Sequence, residues 1–476
     1  MTQPLWTSTD AVAATGGTST CSWAASGVSI DTRTLQKGDL FVALKDIRDG
    51  HEFVAQALSK GAAAAVVSHI PDGLDPSAAL LIVPDVLAAL TALGAAGRAR
   101  SKAKVVGVTG SVGKTSTKEM LRAILAGQGR VHAAEASYNN HWGVPLTLGR
   151  MPAASAFGVF EIGMNHAGEI APLTRLVRPE IAIVTTIEPV HIEHFRSLSG
   201  IADAKGEIFA GLEPGGVAIL NRDNPSFERL SAHALASRAG RIVSFGEHPQ
   251  ADVRAERIVM RPDLSIVDAQ VQGIPVTYQL GTPGRHTALN SLAVMAAVHA
   301  LGADLALAAL SLAQLRPPVG RGERTVLQLP EGEALLVDES YNANPASVRA
   351  ALATLAGIAV EPPGRRIAVL GDMLELGAEA ARHHRDLAES VREHGIDLVH
   401  TAGPMMAELW AALPAPQRGV SALASADLLD AVVAGIRPGD AVMVKGSNST
   451  RMGRIVEALK ARYGGAAPDR AVGRPG

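Results

Sequence analysis

The stretch KVVGVTGSVGKTSTKEMLRAIL, Lys104–Leu125, decides how the middle of this chain folds. Its apolar opening, KVVGV, reads as a buried strand. The Gly-rich turn TGSVGKTST, Thr109–Thr117, comes next, and KEMLRAIL then has the look of a helix. Strand, glycine turn and helix start are the parts of a phosphate-binding loop. Gly110 and Gly113 let backbone N–H groups turn inward toward a polyphosphate, with Ser111, Val112 and Ser116 completing the cradle. Lys114 can meet the phosphate charge, and the Thr115 hydroxyl can reach a Mg2+ ion. The usual G-x-x-x-x-G-K-[ST] pattern wants glycine where Val108 stands, so the loop is a variant. The plain alternative is a turn that merely joins strand to helix; a Gly-Lys-Thr-Ser run in this setting favours a nucleotide.

The rest of the chain bounds what surrounds that loop. At 476 residues it has room for about three domains, because single cores rarely grow past about 250 residues. Hydrophobic content of 47% with 19% charged residues places it among globular chains rather than disordered ones. A formal net charge of −2 gives no reason to expect a nucleic-acid partner. The single cysteine, Cys21, excludes an internal disulfide framework and reads as a buried small side chain. No basic region followed by an apolar core opens the chain, and no window reaches the roughly 18 apolar residues of a membrane span. The expectation is a cytoplasmic protein with no stable membrane insertion.

Working outward, residues 1–103 form a first block with short strands in DLFVAL, AAAAVVS and ALLIVPD, closed by an Ala-rich helix and the basic stretch GRARSKAK, read as a linker. Residues 104–318 repeat buried runs between helices, which argues for a mostly parallel sheet covered on both faces. Within that block, 251–281 alternates and turns like an antiparallel excursion. The segment RPPVGRGER, Arg316–Arg324, has the prolines and glycines of a hinge. Residues 319–464 return to a doubly wound pattern, and 465–476 reads as a disordered tail. The fold class is therefore α/β, in three domains: a small N-terminal one, a central phosphate-loop domain and a Rossmann-like C-terminal one.

Open α/β sheets collect ligands at the carboxyl ends of their strands. Those ends carry Glu161, then Glu188 with His191, Glu193 and His194 beyond it, and a short helix bears Asp203, Lys205 and Glu207. Carboxylates and imidazoles beside a phosphate loop suit a Mg2+–nucleotide site. For any one of them a surface ion pair is an equal reading; recurrence at successive strand ends favours Glu161 and His191.

TGSVGKTST, EIGMNHAGEI, the His191 segment and DAKGEIF together resemble the Mur ligase family, ATP-dependent amide-forming enzymes of peptidoglycan synthesis. SIDTRTLQKGDLFVALKDIRDGHEFV, SYNNHWGVPLTL, GRHTALNSLAV, DESYNANPASVRAAL, LGDMLELG and VKGSNSTRM follow in the family's order, so the resemblance covers nearly the whole chain. The shorter Gly110–Gly113–Lys114 spacing is the form this family uses. NANP and GDMLELG resemble most the branch that joins D-alanyl-D-alanine to a UDP-N-acetylmuramoyl-tripeptide. The lack of a DNPR-like string after Glu323 counts against the branch that adds the third residue, and a full first block counts against a folylpolyglutamate synthetase. A phosphate-loop switch would leave Lys205 and the first block without a purpose.

The resemblance implies roles by position. Lys114 contacts the terminal phosphates, and Thr115, Glu161, His191 and Lys205 hold two Mg2+ ions, with Lys205 carbamylated. An ammonium cannot bind Mg2+, whereas a neutral amine plus CO2 gives an anionic carbamate with hard oxygen donors. Asn290 and Arg321 are implied as nucleotide contacts, Arg321 reaching the transferring phosphoryl group as the third domain closes. Asp338, Tyr341, Asn342, Asn344 and Pro345 match the segment holding the nucleoside. Asp31, Thr32 and Arg33 match the uridine-nucleotide segment, although an N-cap and surface turn would account for them on spacing alone. Asn140, Lys445 and Ser447 are implied as further substrate contacts. Asn448 stands where the family commonly has arginine. The chain is expected to be a monomer.

Overall fold

The computed structural model describes residues 4–75, 77–189, 193, 195, 197–261 and 263–464. A nine-stranded sheet dominates it. From one edge its strands run Val131–Ala133, Phe157–Glu161, Lys104–Thr109, Ile181–Val184, Gly216–Asn221, Ala239–Gly246, Val253–Met260, Ser265–Val271 and Ile274–Leu280. The first seven pair parallel, and the last two close the sheet antiparallel. The expected antiparallel excursion is thus real, and it extends the main sheet rather than standing apart from it.

The apolar run beginning at Lys104 is buried on both faces. Val106 and Val108 pack toward the phosphate-loop helix, Lys114–Ala126, and the largely buried helix Arg285–Ala300. Val105 points the other way, into a core that includes Phe160, Ile170 and Phe209. A strand covered on both sides needs apolar residues at every position, which is why this run reads as continuous rather than alternating. The strand ends of this sheet therefore open onto one edge of a rigid body.

Two smaller α/β units flank it. The first has the sheet order Thr18–Ser19, Leu80–Ile82, Ala64–Val67, Asp39–Val42, Gly27–Ser29, parallel except at the Thr18 edge. Its two outermost strands are too short to leave a sequence pattern. The other unit is six-stranded: Glu323–Leu329, Gly332–Glu339, Ala441–Lys445, Arg366–Gly371, Leu398–Ala402 and Arg418–Ala422, with only the first pair antiparallel.

Two expectations give way here. The basic stretch GRARSKAK is not a free linker. The helix Val86–Arg100 runs into it, and Arg98 is buried with its guanidinium on the carbonyls of Val177, Arg178 and Ser101. Arg100 ties the Leu5 and Met151 carbonyls together. Carbonyls at helix and strand ends accept such donors readily, so the arginines fasten the first unit to the second. Cys21, expected to be buried, is exposed, because it lies in the irregular segment between the first sheet's short edge strands. The tail beyond residue 464 lies outside the described residues. Among those described, no helix is long and apolar enough to cross a membrane.

His400, on the strand Leu398–Ala402, supplies a pH test of the third unit. It is buried, its Nδ1 accepts the Val420 N–H, and burial with Arg365 nearby pushes it from 6.5 to about 4. The unfolded chain takes up this proton first, so its contribution is complete above pH 6.5 and is lost as pH falls from 6.5 toward 4. Denaturant unfolding should show about 2 kcal/mol less stability at pH 5 than at pH 7 from this group. His400→Gln should flatten that part of the slope; an unchanged slope would contradict the assignment.

Candidate active site

The phosphate loop is fixed by the end of the neighbouring strand Ile181–Val184. The Ser111 N–H donates to the Thr186 carbonyl, and the Ser111 hydroxyl donates to the Glu188 carbonyl while accepting the Glu188 N–H. The Thr185 hydroxyl donates to the Val112 carbonyl at 2.6 Å. Gly110, at φ +146°, leaves no room for a Cβ, which would collide with the Thr185 Oγ1. Gly113, at φ +85°, lies against the Asn290 amide in the same way. A side chain at either position would push the loop off its supports, so both glycines are required by space as well as by φ.

Behind the loop, Glu161 ends its strand almost completely buried, at 2% exposure. The Thr115 hydroxyl donates to one of its carboxylate oxygens at 2.8 Å, and the Asn139 amide donates to the other at 2.7 Å. Ser137 Oγ lies 3.4 Å from Thr115 Oγ1. Lys114 bends back so that its Nζ donates to the Gly110 carbonyl at 2.7 Å. Its amine is lowered from the usual lysine range by burial and by Arg321, with Glu161 opposing. Lys205 is more extreme. It is 1% exposed, and burial together with Lys114 drives its amine well below the ordinary value. It has no acidic partner among the described residues.

Apart from Lys205, which is not part of its lining, these groups face a cleft of about 730 Å³ between the central and third sheets. Of the residues singled out in the sequence, it is lined by Ser111–Ser116, Glu161, Glu188, Asn290, Arg321, Tyr341, Asn342, Asn344 and Lys445. The Arg321 guanidinium stacks 4.3 Å above the Tyr341 ring, so the hinge arginine is presented by an aromatic of the third unit. Asn344 caps the helix Pro345–Ala356 in a reciprocal pair with Ser347. The Lys445 ammonium is held by Glu339 and the Asn342 carbonyl. Burial raises the Glu188 carboxyl, with Arg349 opposing. Burial lowers His286, with Glu339 opposing and Lys445 adding to the effect.

Other sequence candidates are placed elsewhere. Asp203 is engaged by Arg229 and His233 on the outer surface, and Glu207 accepts the Gly168 and Ala171 N–H groups. Those two carboxylates are structural, which corrects their grouping with the metal site. Asp338 accepts from Ser340 outside the cleft lining, where Glu339 faces inward instead, since adjacent strand residues point to opposite sides. Asn140 accepts the Gly143 N–H, and Ser447 accepts the Leu374 N–H. Asp31 and Arg33 pair with each other on the first unit, where Thr32 bonds Gln56. His191 and His194 lie outside the described residues. Sequence reading missed Ser137, Asn139, His286 and Glu339. Asn139 sits one residue from the chosen Asn140, and His286 lies within the quoted GRHTALN.

The donor set fits a hard, well-hydrated cation. Among the described residues no three His, Cys, Asp or Glu side chains gather into a metal cluster. Thr115 and Glu161 offer a hydroxyl and a carboxylate beside a loop built for phosphate oxygens. Mg2+ characteristically binds in this way, through few protein oxygens plus phosphate and water.

Comparison with known proteins agrees with this geometry. The family model described as Mur ligase middle domain matches residues 108–298, and that described as Mur ligase, glutamate ligase domain, matches 320–448. The UDP-N-acetylmuramoyl-tripeptide–D-alanyl-D-alanine ligase of Escherichia coli (strain K12) is 39% identical over 91% of this chain and 93% of its own length. A crystal structure of MurF from Acinetobacter baumannii superposes with a TM-score of 0.84 at 30% identity, covering 96% of this chain and 99% of that one. The MurF ligase of Thermotoga maritima, solved in complex with ADP, shares the fold at 24% identity, with a TM-score of 0.75 over 92% of this chain and 98% of that one.

The loop geometry yields a direct test. Gly110→Ala should weaken ADP binding by tenfold or more, on the order of 1.4 kcal/mol, with the far-ultraviolet circular dichroism unchanged. Calorimetric binding at wild-type strength would contradict the required close approach.

Proposed function

Since the chain belongs to the Mur ligase family, we propose that it joins D-alanyl-D-alanine to a UDP-N-acetylmuramoyl-tripeptide at the expense of ATP. It is an ATP-dependent, amide-forming ligase of peptidoglycan precursor synthesis. The observation that carries the reading is the meeting, in one cleft, of a phosphate loop, a buried Thr115–Glu161 pair and a hinge arginine from the closing unit.

In this reading the tripeptide carboxylate attacks the γ-phosphorus of ATP, giving an acyl phosphate and ADP. The dipeptide amine then attacks the acyl carbon and phosphate leaves. Lys114 and Arg321 set positive charge against the transferring phosphoryl group, and Asn290 buttresses the loop at Gly113. Bound Mg2+ would supply charge neutralisation at the phosphates, held at Thr115 and Glu161, with a second ion assigned to His191 and a carbamylated Lys205. The lowering of the Lys205 amine by burial and by Lys114 supports that modification, since only a neutral amine can take up CO2. Asp31, Thr32 and Arg33 are assigned to the uridine nucleotide, and Lys445, Asn342, Tyr341 and Asn344 to the cleft's third-unit wall. Asn140, Asp338 and Ser447 act by shaping the turns that carry those contacts. An acyl phosphate must be kept from water, which the closing of 319–464 over 104–318 accomplishes, while 1–103 stays fastened. The protein works as a cytoplasmic monomer.

Phosphate release in a coupled assay should require both the UDP-muramoyl tripeptide and D-alanyl-D-alanine. Equal release with either one omitted would refute the ligase reading. Lys205→Ala should abolish turnover, by a thousandfold or more in kcat, with partial recovery in added acetate or formate; full activity without rescue would remove Lys205 from the metal site.

A further inference from the structure

Four residues beyond Lys114, the phosphate-loop helix carries a second lysine that the reaction scheme leaves unused. Lys118 is 0% exposed, which is rare for a lysine and is tolerated only where its charge is matched. Its Nζ donates to the Ala134 carbonyl at 2.7 Å and pairs with Glu119 Oε1 at 2.7 Å, with the Ala136 carbonyl at 3.4 Å. Glu119 is in turn bound by Arg122 at 2.7 Å, and these partners hold its carboxyl below the usual range against burial.

The two carbonyls belong to the segment that leaves the strand Val131–Ala133 and crosses the mouth of the phosphate loop. That segment has no regular secondary structure to hold it. It carries Ser137, beside the Thr115 hydroxyl, and Asn139, whose amide fixes Glu161 and whose carbonyl accepts the Gly163 N–H at 2.8 Å. The same helix thus presents Thr115 to the cleft and, one turn on, grips the backbone of the segment that aims Glu161.

We propose that Lys118 is a positioning residue for the metal–phosphate side of the cleft, its buried ammonium clamping residues 134–139 so that Ser137 and Asn139 hold Thr115 and Glu161 ready for the cation. The inference rests on the proposed metal role of Thr115 and Glu161. It explains why a full charge is buried where an apolar side chain would pack at lower cost: a single donor group reaches two carbonyls and a carboxylate at once.

The test uses the full-length protein with ADP, and Mn2+ as the probe, free Mn2+ being followed by electron paramagnetic resonance. Groups that orient metal ligands typically change metal affinity by 10–100-fold, so Lys118→Met should raise the Mn2+ Kd about tenfold or more. Asn139→Ala should do the same. Because the clamp acts through Asn139, the double variant should bind no more weakly than the worse single variant. In the metal-free protein, amide hydrogen exchange across 134–142 should quicken in Lys118→Met, with exchange in the central strands unchanged. Wild-type Mn2+ affinity in Lys118→Met, or losses that simply multiply in the double variant, would overturn the proposal. If Lys118→Met does not fold, Lys118→Gln keeps a donor without the charge. It should show a smaller loss still coupled to Asn139, and independence from Asn139 would again overturn the clamp. Glu161→Gln separates the two layers of the argument: unchanged Mn2+ binding there refutes the metal site itself, whereas a loss there with Lys118→Met unaffected refutes only the clamp.

Discussion

Uncompensated positive charge at the strand ends is the constraint on which this molecule turns. Lys114, beside the buried carboxylate Glu161, also feels two further basic groups, Arg321 from the hinge and Lys205 from a helix. Each cation disfavours the next, and burial removes the water that would otherwise screen them. Such a cluster is poorly satisfied in the free protein and well satisfied by a polyphosphate with its metal. Ligand binding and the proposed closure of the third unit and carbamylation of Lys205 would all relieve the same imbalance. The architecture serves that end: seven strands of the central sheet run parallel and deliver their carboxyl ends to one edge.

The flanking units are joined to this centre in different ways. The first is fastened by the buried Arg98, by the half-buried Arg100 and by the Trp6 indole on the Gly149 carbonyl. Charged donors on carbonyl oxygens, away from water, resist displacement. The third meets the centre across the open cleft, through the Arg316–Gly322 turn and the Arg321–Tyr341 stack. A substrate seated on the first unit would keep its place while the nucleotide-side wall moves, which suits a reaction that must assemble three ligands and then exclude water.

Much of this was legible in the sequence because its signals are local. A phosphate loop is a short backbone device, and Gly110, Gly113 and Lys114 announce it within five residues. Strands buried on both faces, such as those at Lys104 and Ile181, advertise themselves as unbroken apolar runs. Less legible was anything decided by which way a side chain points. Asp338 and Glu339 are neighbours of like charge, and only the strand's pleat sends Glu339 into the cleft. Asp203 and Glu207 flank Lys205 in sequence, yet the helix turns them toward Arg229 and toward the Gly168 amide. Asn139 gained its place through Glu161, far along the chain. GRARSKAK resembled a solvated linker because its acceptors are carbonyls, which composition does not display.

The central claim is that this charge cluster exists to activate a carboxylate by phosphoryl transfer. Oxygen-18 placed in the terminal carboxylate of the UDP-muramoyl tripeptide tests it most directly, with mass spectrometry of the phosphate released during turnover. An acyl phosphate predicts one labelled oxygen in each phosphate, carried over when the amine displaces it. Unlabelled phosphate, accompanied by amide product, would contradict the account.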